Sequence, residues 1–374
     1  MLDAAEAIAL ARKETGLESF GDDDLLRRLT NTMEGIHRAP LNPEAREGLE
    51  KQIVGELAMR LRIEDYIARN PEVLDAKVEG PLLVTGFPRT GTTATVSMLA
   101  LDKQFRFLRA WEGKSPLPPP QIDTEQDDPR AVAARQAASM MDQSIHLSDP
   151  DGPEEDLAMM SGFDVRNYLG MYPMPDDFIE AWIAEDFRPF YAFHSKLLRI
   201  LHSRRPPRRW LIKAPPHIFR IEEFFAEYPD ARVIMTHRNP AQVIASDASF
   251  RYYLNSTVGD VSKLPAKETY GPRLLDFWMR GLERALEARK RIGEDRFVDV
   301  RNADVISQPI ATFERTYAAL GMDFTDETRT AIEAYLDHNR QGAHGSHDYT
   351  AEEYGLTDAM VRERFAEYCE RFGV

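Results

Sequence analysis

The chain has 374 residues, 43% of them hydrophobic and 29% charged, with 47 basic against 62 acidic side chains and a formal net charge of −15. At about 150 residues per domain, that length allows two or three domains, or one large domain with helical additions. The composition excludes a mostly disordered chain, the acidity excludes a protein that coats nucleic acid, and the single Cys369 excludes an internal disulfide or a multi-cysteine metal site.

No window approaches the ~18 uncharged apolar residues that a bilayer span needs, so no stable membrane insertion is expected. Met1 to Phe20 carries Asp3, Glu6, Glu14 and Glu18, which no signal peptide tolerates. A cytoplasmic protein is the expectation.

Residues 1–80 read as helices, with Leu25, Leu26 and Leu29, then Ile53, Val54, Leu57 and Leu61, at helical spacing. Asn70-Pro71 is a break. The short run 81–86 is a buried strand followed at once by a loop, and from Thr92 the spacing turns helical again. Arg106 to Trp111 reads as a second strand, and 115–120 as a rigid proline connector. Helical stretches are expected at 129–142, 153–162 and 176–205. The segments 209–213 and 232–236 are strands, each followed by a proline turn and a helix. Leu274, Trp278, Leu282 and Leu286 mark a helix over 271–291. A short strand at 297–300 and further helices, apart from a polar loop at about 339–350, complete the chain. Strands alternating with helices indicate an α/β fold with a doubly wound parallel sheet, whose sites lie beyond the C-terminal ends of the strands.

The loop after the first strand is Gly86-Phe87-Pro88-Arg89-Thr90-Gly91-Thr92-Thr93. A strand-to-helix turn with glycines offers backbone N–H groups at a helix N-terminus, which favours bound anions, and the hydroxyls of Thr90, Thr92 and Thr93 add donors. The glycine spacing fits the Walker pattern, but Thr92 holds the lysine position and the basic residue is Arg89, inside the loop. The next strand ends are basic too: Lys213 after one, His237-Arg238 after the other. A magnesium-dependent ATPase would want an acid there. Three strand ends offering anion-binding groups argue against an accidental match.

This loop resembles the 5′-phosphosulfate loop of the sulfotransferases, x-x-P-[KR]-[ST]-G-[ST]-[ST], enzymes that use 3′-phosphoadenosine 5′-phosphosulfate (PAPS). Their second signature, an arginine after a strand and a serine eight residues on that hold the 3′-phosphate, is matched by Arg238 and Ser246. The chain looks most like the bacterial branch with Pro-Arg in the loop, over about residues 80–310. The resemblance implies a P-loop-like sheet and PAPS as co-substrate with no metal. It also implies transfer of a sulfuryl group to a hydroxyl, less readily an amine, of a small-molecule acceptor. Residues 1–80 would be a helical N-terminal extension, and 81–374 the α/β domain with a helical lid at about 129–205 and a helical tail. By resemblance Arg89 contacts the 5′-phosphate and sulfate, and Thr92 and Thr93 bind the 5′-phosphate, with Thr90 and Gly91 completing the loop.

Two residues could serve as the base. Glu112 lies 24 residues past Pro88, where several Pro-Arg branches place a catalytic glutamate, and a carboxylate beside Trp111 could have a raised pKa. His146 is the rival, although the Lys-x-x-His motif of the animal branch is absent because Gln143 stands three residues before it. Lys213 at a strand end could stabilise charge on the transferring group. The acids from Asp149 to Asp156, Glu154 and Glu155 among them, could help bind a substrate or orient His146, and an exposed helix N-terminus rich in acids explains them without any function. The aromatic run from Phe163 to Phe193 could line an apolar acceptor pocket or simply pack helices. Two other readings stay open: a P-loop small-molecule kinase using ATP, and a catalytically silent nucleotide-binding regulator.

Overall fold

A computed structural model describes residues 1–139, 149–156, 172–206, 208–339 and 350–374. Five parallel strands, β1 (Leu82–Gly86), β2 (Phe105–Phe107), β3 (Arg209–Lys213), β4 (Arg232–His237) and β5 (Phe297–Arg301), form one sheet in the order β2-β3-β1-β4-β5. Every residue of β1 is buried, as a central strand covered on both faces must be. In register, Leu83 lies opposite Ile212 of β3 and Val233 of β4. The strands' period of two then sorts the core: Leu83, Ile212, Val233 and Met235 face one layer, and Leu82, Val84, Leu211, Ile234 and Val300 face the other.

The helices are α1 (Ala4–Thr15), α2 (Leu25–Arg38), α3 (Pro43–Arg69), α4 (Thr92–Leu99), α5 (Ala110–Lys114), α6 (Pro129–Ser139), α7 (Asp176–Ala184) and α8 (Arg188–His202). After β3 follow α9 (Ile221–Glu227), α10 (Pro240–Val258), α11 (Tyr270–Ile292), α12 (Asn302–Ser307), α13 (Pro309–Leu320), α14 (Asp326–Asn339), α15 (Asp358–Arg364) and α16 (Ala366–Phe372). Helices α8, α9 and α11 cover the first face of the sheet, and α4 and α13 the second. None of the described helices is long and apolar enough to cross a membrane.

The helical N-terminus forms a core of its own, with Leu29, Ile36, Leu49, Ile53 and Leu57 packed against Met174 and Phe178. Helix α3 starts on Asn42, whose side chain accepts the Ala45 N–H at 2.8 Å, and it reaches into the main core with Ile63 and Ile67. The segment before it is stitched to the end of α10: Leu41 bridges Gly259, and the Asn42 and Asp260 N–H groups donate to Val258 and Pro40.

Three expectations need correction. The second strand stops at Phe107, because the Glu112 carboxylate accepts the Arg109 N–H at 3.0 Å and starts α5 instead. Residues 153–155 are not helical, and 157–162 lie outside the described residues: Pro153 bridges Arg109, and the Glu154 N–H donates to the Leu108 carbonyl at 2.8 Å. The stretch 176–205 is two helices, split after Ala184. The loop at about 339–350 lies almost wholly outside the described residues.

The tail packs beneath the first loop. Phe87 is buried against Trp278, Phe365 and Tyr368, with ring centroids 6.1, 5.5 and 5.3 Å away. Phe87→Ala should therefore destabilise the protein by about 3–5 kcal/mol, read as a lowered midpoint in chemical denaturation; a change under about 1 kcal/mol would mean the tail is not part of the core.

Candidate active site

The first loop is shaped by a close approach at Gly86 and by a left-handed backbone at Arg89 and again at Gly91. A Cβ on Gly86 would come within 2.5 Å of the Thr236 carbonyl, so only glycine lets β1 and β4 end side by side. Arg89 has φ +63°, a left-handed conformation costing a non-glycine residue about 1–2 kcal/mol. Its neighbours hold it there. Arg238 Nη1 donates to the Arg89 carbonyl at 3.0 Å, and the Thr90 hydroxyl donates to the Phe87 carbonyl at 2.6 Å. A left-handed residue just before a helix N-terminus is a backbone arrangement that makes an anion-binding concavity.

The sheet order places β3, β1 and β4 side by side, so their C-terminal ends meet. The Arg89 Nε donates to Ser246 Oγ at 3.2 Å, bringing the loop arginine onto the serine two turns into α10. Arg238 Nε reaches Gln242 Oε1 at 3.2 Å. Lys213, only 4% exposed, reaches Thr93 Oγ1 at 3.5 Å from the other side. Arg89, Thr93, Lys213, Arg238 and Ser246 are thus brought together, with Gly91 and Thr92 opening α4 between them.

Two residues are placed differently from expectation. The hydroxyl of Thr90 is buried and lies 2.6 Å from that of Thr236, so it braces the loop against β4 rather than facing a ligand. His237 contributes no cation to the site. Burial lowers its pKa, and its ring bridges Asp299 and Tyr368 at 2.9 and 3.1 Å while stacking on Phe372. Arg238 alone carries the charge at that strand end.

Glu112 is also a correction. It is 0% exposed, one carboxylate oxygen is paired with Arg106 at 2.5 Å and the other caps α5. Arg205 closes in at 4.0 Å, and it also pairs with Glu125, which Arg109 holds at 2.9 Å. Against burial, which would raise it, these guanidinium hydrogen bonds hold the Glu125 pKa at about 2. The cluster fastens the sheet's β2 edge to α5. Both oxygens of the Glu112 carboxylate are thus committed, and it presents no exposed surface in this structure. His146 lies outside the described residues.

Among the described residues, the carboxylate that meets the site is Glu155, with Oε1 3.5 Å from Lys213 Nζ. Its side chain is 38% exposed, yet the surrounding protein raises its pKa by desolvation, offset only in part by Lys213. In the sequence Glu155 is one acid among several; the only local hint is Gly152-Pro153, which marks a turn and not a helix start. Its neighbour Asp156 anchors it. Asp156 is buried and accepts from His217 Nε2 at 2.8 Å, with His194 Nε2 3.4 Å away. The outer ring nitrogens meet the Tyr191 and Tyr228 hydroxyls at 2.6 and 2.7 Å. Burial would raise the Asp156 pKa, but the two imidazoles hold it well below the usual carboxylate range. His217 follows Lys213 by four residues, so one network fixes the segment bearing Glu155 to the strand end bearing Lys213. Of the described aromatics of the run, Trp182, Phe187, Phe190, Tyr191 and Phe193 pack in the main core, and Tyr172 and Phe178 in that of the N-terminal helices.

The profile of the Sulfotransferase family matches residues 81–326. The chain belongs to the sulfotransferase family. It is 26% identical over 305 residues to the omega-hydroxy-beta-dihydromenaquinone-9 sulfotransferase Stf3 of Mycobacterium bovis, covering 78% of this chain and 75% of that one. The crystal structure of sulfotransferase STF9 from Mycobacterium avium superposes with a TM-score of 0.91 at 29% identity, over 100% of this chain and 97% of the other. That of STF1 from Mycobacterium tuberculosis H37Rv gives 0.83 at 27% identity, over 97% and 98%. The chain is therefore a transferase with the sulfotransferase's P-loop-like sheet, and the likeness to STF9 takes in the N-terminal helices and the tail as well.

The anchoring network of this sulfotransferase has a pH signature. A folded-state pKa held below the unfolded one stabilises at neutral pH, and that stability is lost as pH falls through the folded value. Asp156→Asn should cost about 1.5–3 kcal/mol at pH 7, and the gap from wild type should narrow below about pH 4. A gap constant from pH 7 to 3 in urea midpoints would refute the ionised Asp156.

Proposed function

We propose that this sulfotransferase moves a sulfuryl group from PAPS to the hydroxyl of a small-molecule acceptor. The observation that carries the reading is the convergence of Arg89, Arg238 and Ser246 on one side of the loop with Lys213 and Glu155 on the other. Arg238 and Ser246 would hold the 3′-phosphate as guanidinium and hydroxyl. The backbone of the loop with Thr92 and Thr93 would hold the 5′-phosphate, and Arg89 and Lys213 would neutralise charge on the bridging oxygen as the bond to sulfur breaks. The residues present fit an anionic nucleotide, since the left-handed loop and three cations face one space.

Glu155 is the proposed base. It takes the acceptor's proton while the oxygen attacks sulfur in line, and a raised pKa suits it to the task. Lys213 keeps it oriented until the nucleotide arrives. The M. bovis relative is named for a substrate bearing an omega-hydroxyl, and an alcohol is the acceptor favoured here. The reading uses no metal.

The protein should bind 3′-phosphoadenosine 5′-phosphate about 10- to 100-fold more tightly than ADP, from charge-assisted hydrogen bonds worth ~1.5–3 kcal/mol. Equal thermal stabilisation by the two nucleotides would sink the reading. Glu155→Gln should lower turnover with labelled PAPS by about 10²–10⁴ with nucleotide affinity kept. In the wild type the acidic limb of the rate profile should lie above the ordinary glutamate range, rate rising as Glu155 loses its proton. A Glu155→Gln enzyme with undiminished turnover would return the role of base to another residue.

A further inference from the structure

Arg238 is held by three different parts of the chain. Its Nε reaches Gln242 Oε1 on α10, and its Nη1 donates to the Arg89 carbonyl of the loop. Gln242 is exposed, so water competes for that contact. The third hold comes from the tail and is buried. The backbone N–H of Arg238 hydrogen-bonds the phenol oxygen of Tyr368 on α16, a side chain only 3% exposed. No step of the proposed reaction uses this tyrosine.

The polarity of that contact is set from behind. Arg289 donates to both oxygens of Asp299, at 2.7 and 2.8 Å, which keeps the carboxylate an acceptor. Asp299 Oδ1 lies 2.9 Å from His237 Nε2, so the imidazole proton sits on Nε2. Burial keeps the ring neutral, and Nδ1 is left with a lone pair that accepts the Tyr368 O–H at 3.1 Å. With its proton given to His237, the phenol oxygen has only lone pairs to offer. The Arg238 N–H is the donor that meets them. Arg289, Asp299, His237 and Tyr368 thus form one directed relay that ends on the backbone of the site arginine.

The ring of Tyr368 makes a second connection. Its centroid lies 5.3 Å from that of Phe87, the loop residue between Gly86 and Pro88, and 5.2 Å from that of Phe372, which stacks on His237 at 3.9 Å. One side chain therefore touches both the loop that carries Arg89 and the strand end that carries Arg238.

We propose that Tyr368 is a positioning residue for the nucleotide's 3′-phosphate, its hydroxyl fixing the backbone of Arg238 and with it the guanidinium, a role that rests on the reading of Arg238 as the partner of that phosphate. Tyr368 touches no atom of the nucleotide itself. The hydroxyl acts through Arg238, so its loss is felt at the 3′-phosphate. The ring acts through Phe87, so its packing serves the whole loop.

The test is calorimetric titration of the full chain with 3′-phosphoadenosine 5′-phosphate and with adenosine 5′-phosphate, which lacks only the 3′-phosphate. The wild type should bind the first at least about tenfold more tightly. Tyr368→Phe, which keeps the ring and removes the hydroxyl, should weaken the bisphosphate by about three- to tenfold, the worth of one hydrogen bond. Its affinity for adenosine 5′-phosphate should stay within about twofold of wild type, which also shows that the variant folds. In an Arg238→Ala background the same change should cost the bisphosphate less than about twofold, because the group it positions is gone. Phe365→Leu, which loosens the tail against Phe87 without touching the relay, should lower the thermal midpoint and leave the ratio of the two affinities unchanged. Equal losses for both nucleotides, no loss in Tyr368→Phe, a full loss persisting without Arg238, or a ratio that falls in Phe365→Leu would each overturn the positioning role. A wild type that does not distinguish the two nucleotides would overturn the proposed function and this role together; a wild type that does, with Tyr368→Phe unaltered, would overturn this role alone.

Discussion

The close approach of β1 and β4 at Gly86 is the constraint on which the site depends. With no side chain at Gly86, the two strand ends lie near enough for Thr90 to reach Thr236, and that contact anchors the loop as it turns left-handed at Arg89. Arg238, leaving β4 at the same level, then binds the Arg89 carbonyl, so the two arginines occupy one place because their strands do. The backbone cost at Arg89 is modest beside the ~5–15 kcal/mol stability of a typical domain. It is offset by hydrogen bonds that are themselves consequences of strand order. On the other flank, β3 delivers Lys213, and its following turn delivers His217 to the network that holds Asp156 and hence Glu155.

An acidic protein that handles an anionic nucleotide separates its charges by position. The net charge of −15 belongs to the whole surface, whereas the site needs only a few cations at short range, where attraction is not screened. Buried charges elsewhere are paired with care. Arg106 with Glu112, Arg28 and Arg60 with Asp22, and Arg251 with Asp247 all lie in or near the interior. Such pairs add little net stability, but each is costly to break on one side. That is why Glu112, attractive as a base on sequence spacing, is better understood as the partner that allows Arg106 to be buried.

The order of strands and helices was largely legible in the sequence, because buried strands are short apolar runs and the helices keep their periodicity. The Gly86–Thr93 loop and the Arg238/Ser246 spacing were legible for a related reason: both are local, and their chemistry is carried by residues close together in the chain. What was not legible depends on pairings between distant segments. The separation of Glu112 from Pro88 says nothing of Arg106 and Arg205 closing around it. The backbone bridge from Pro153 to Arg109 holds 153–155 out of helical form and brings Glu155 to Lys213, and no local pattern announces it. The placements of Thr90 and His237 are illegible for the same reason, since a hydroxyl or an imidazole near a site faces the core as readily as the ligand.

Helix α10 is gripped at both ends. Its first turns carry Gln242 and Ser246 beside the arginines, and its last turn is stitched to residues 40–42, the hinge between α2 and α3. Binding energy spent at the phosphate end therefore need not stay there. A nucleotide that immobilises the start of this rod raises the free energy of every local opening that must tilt it. The Leu41 and Asn42 amides of that seam, at the other end of α10, would exchange more slowly with solvent when the nucleotide is bound. The N-terminal helices, unexplained by any motif, would thus sense occupancy of the site without touching it.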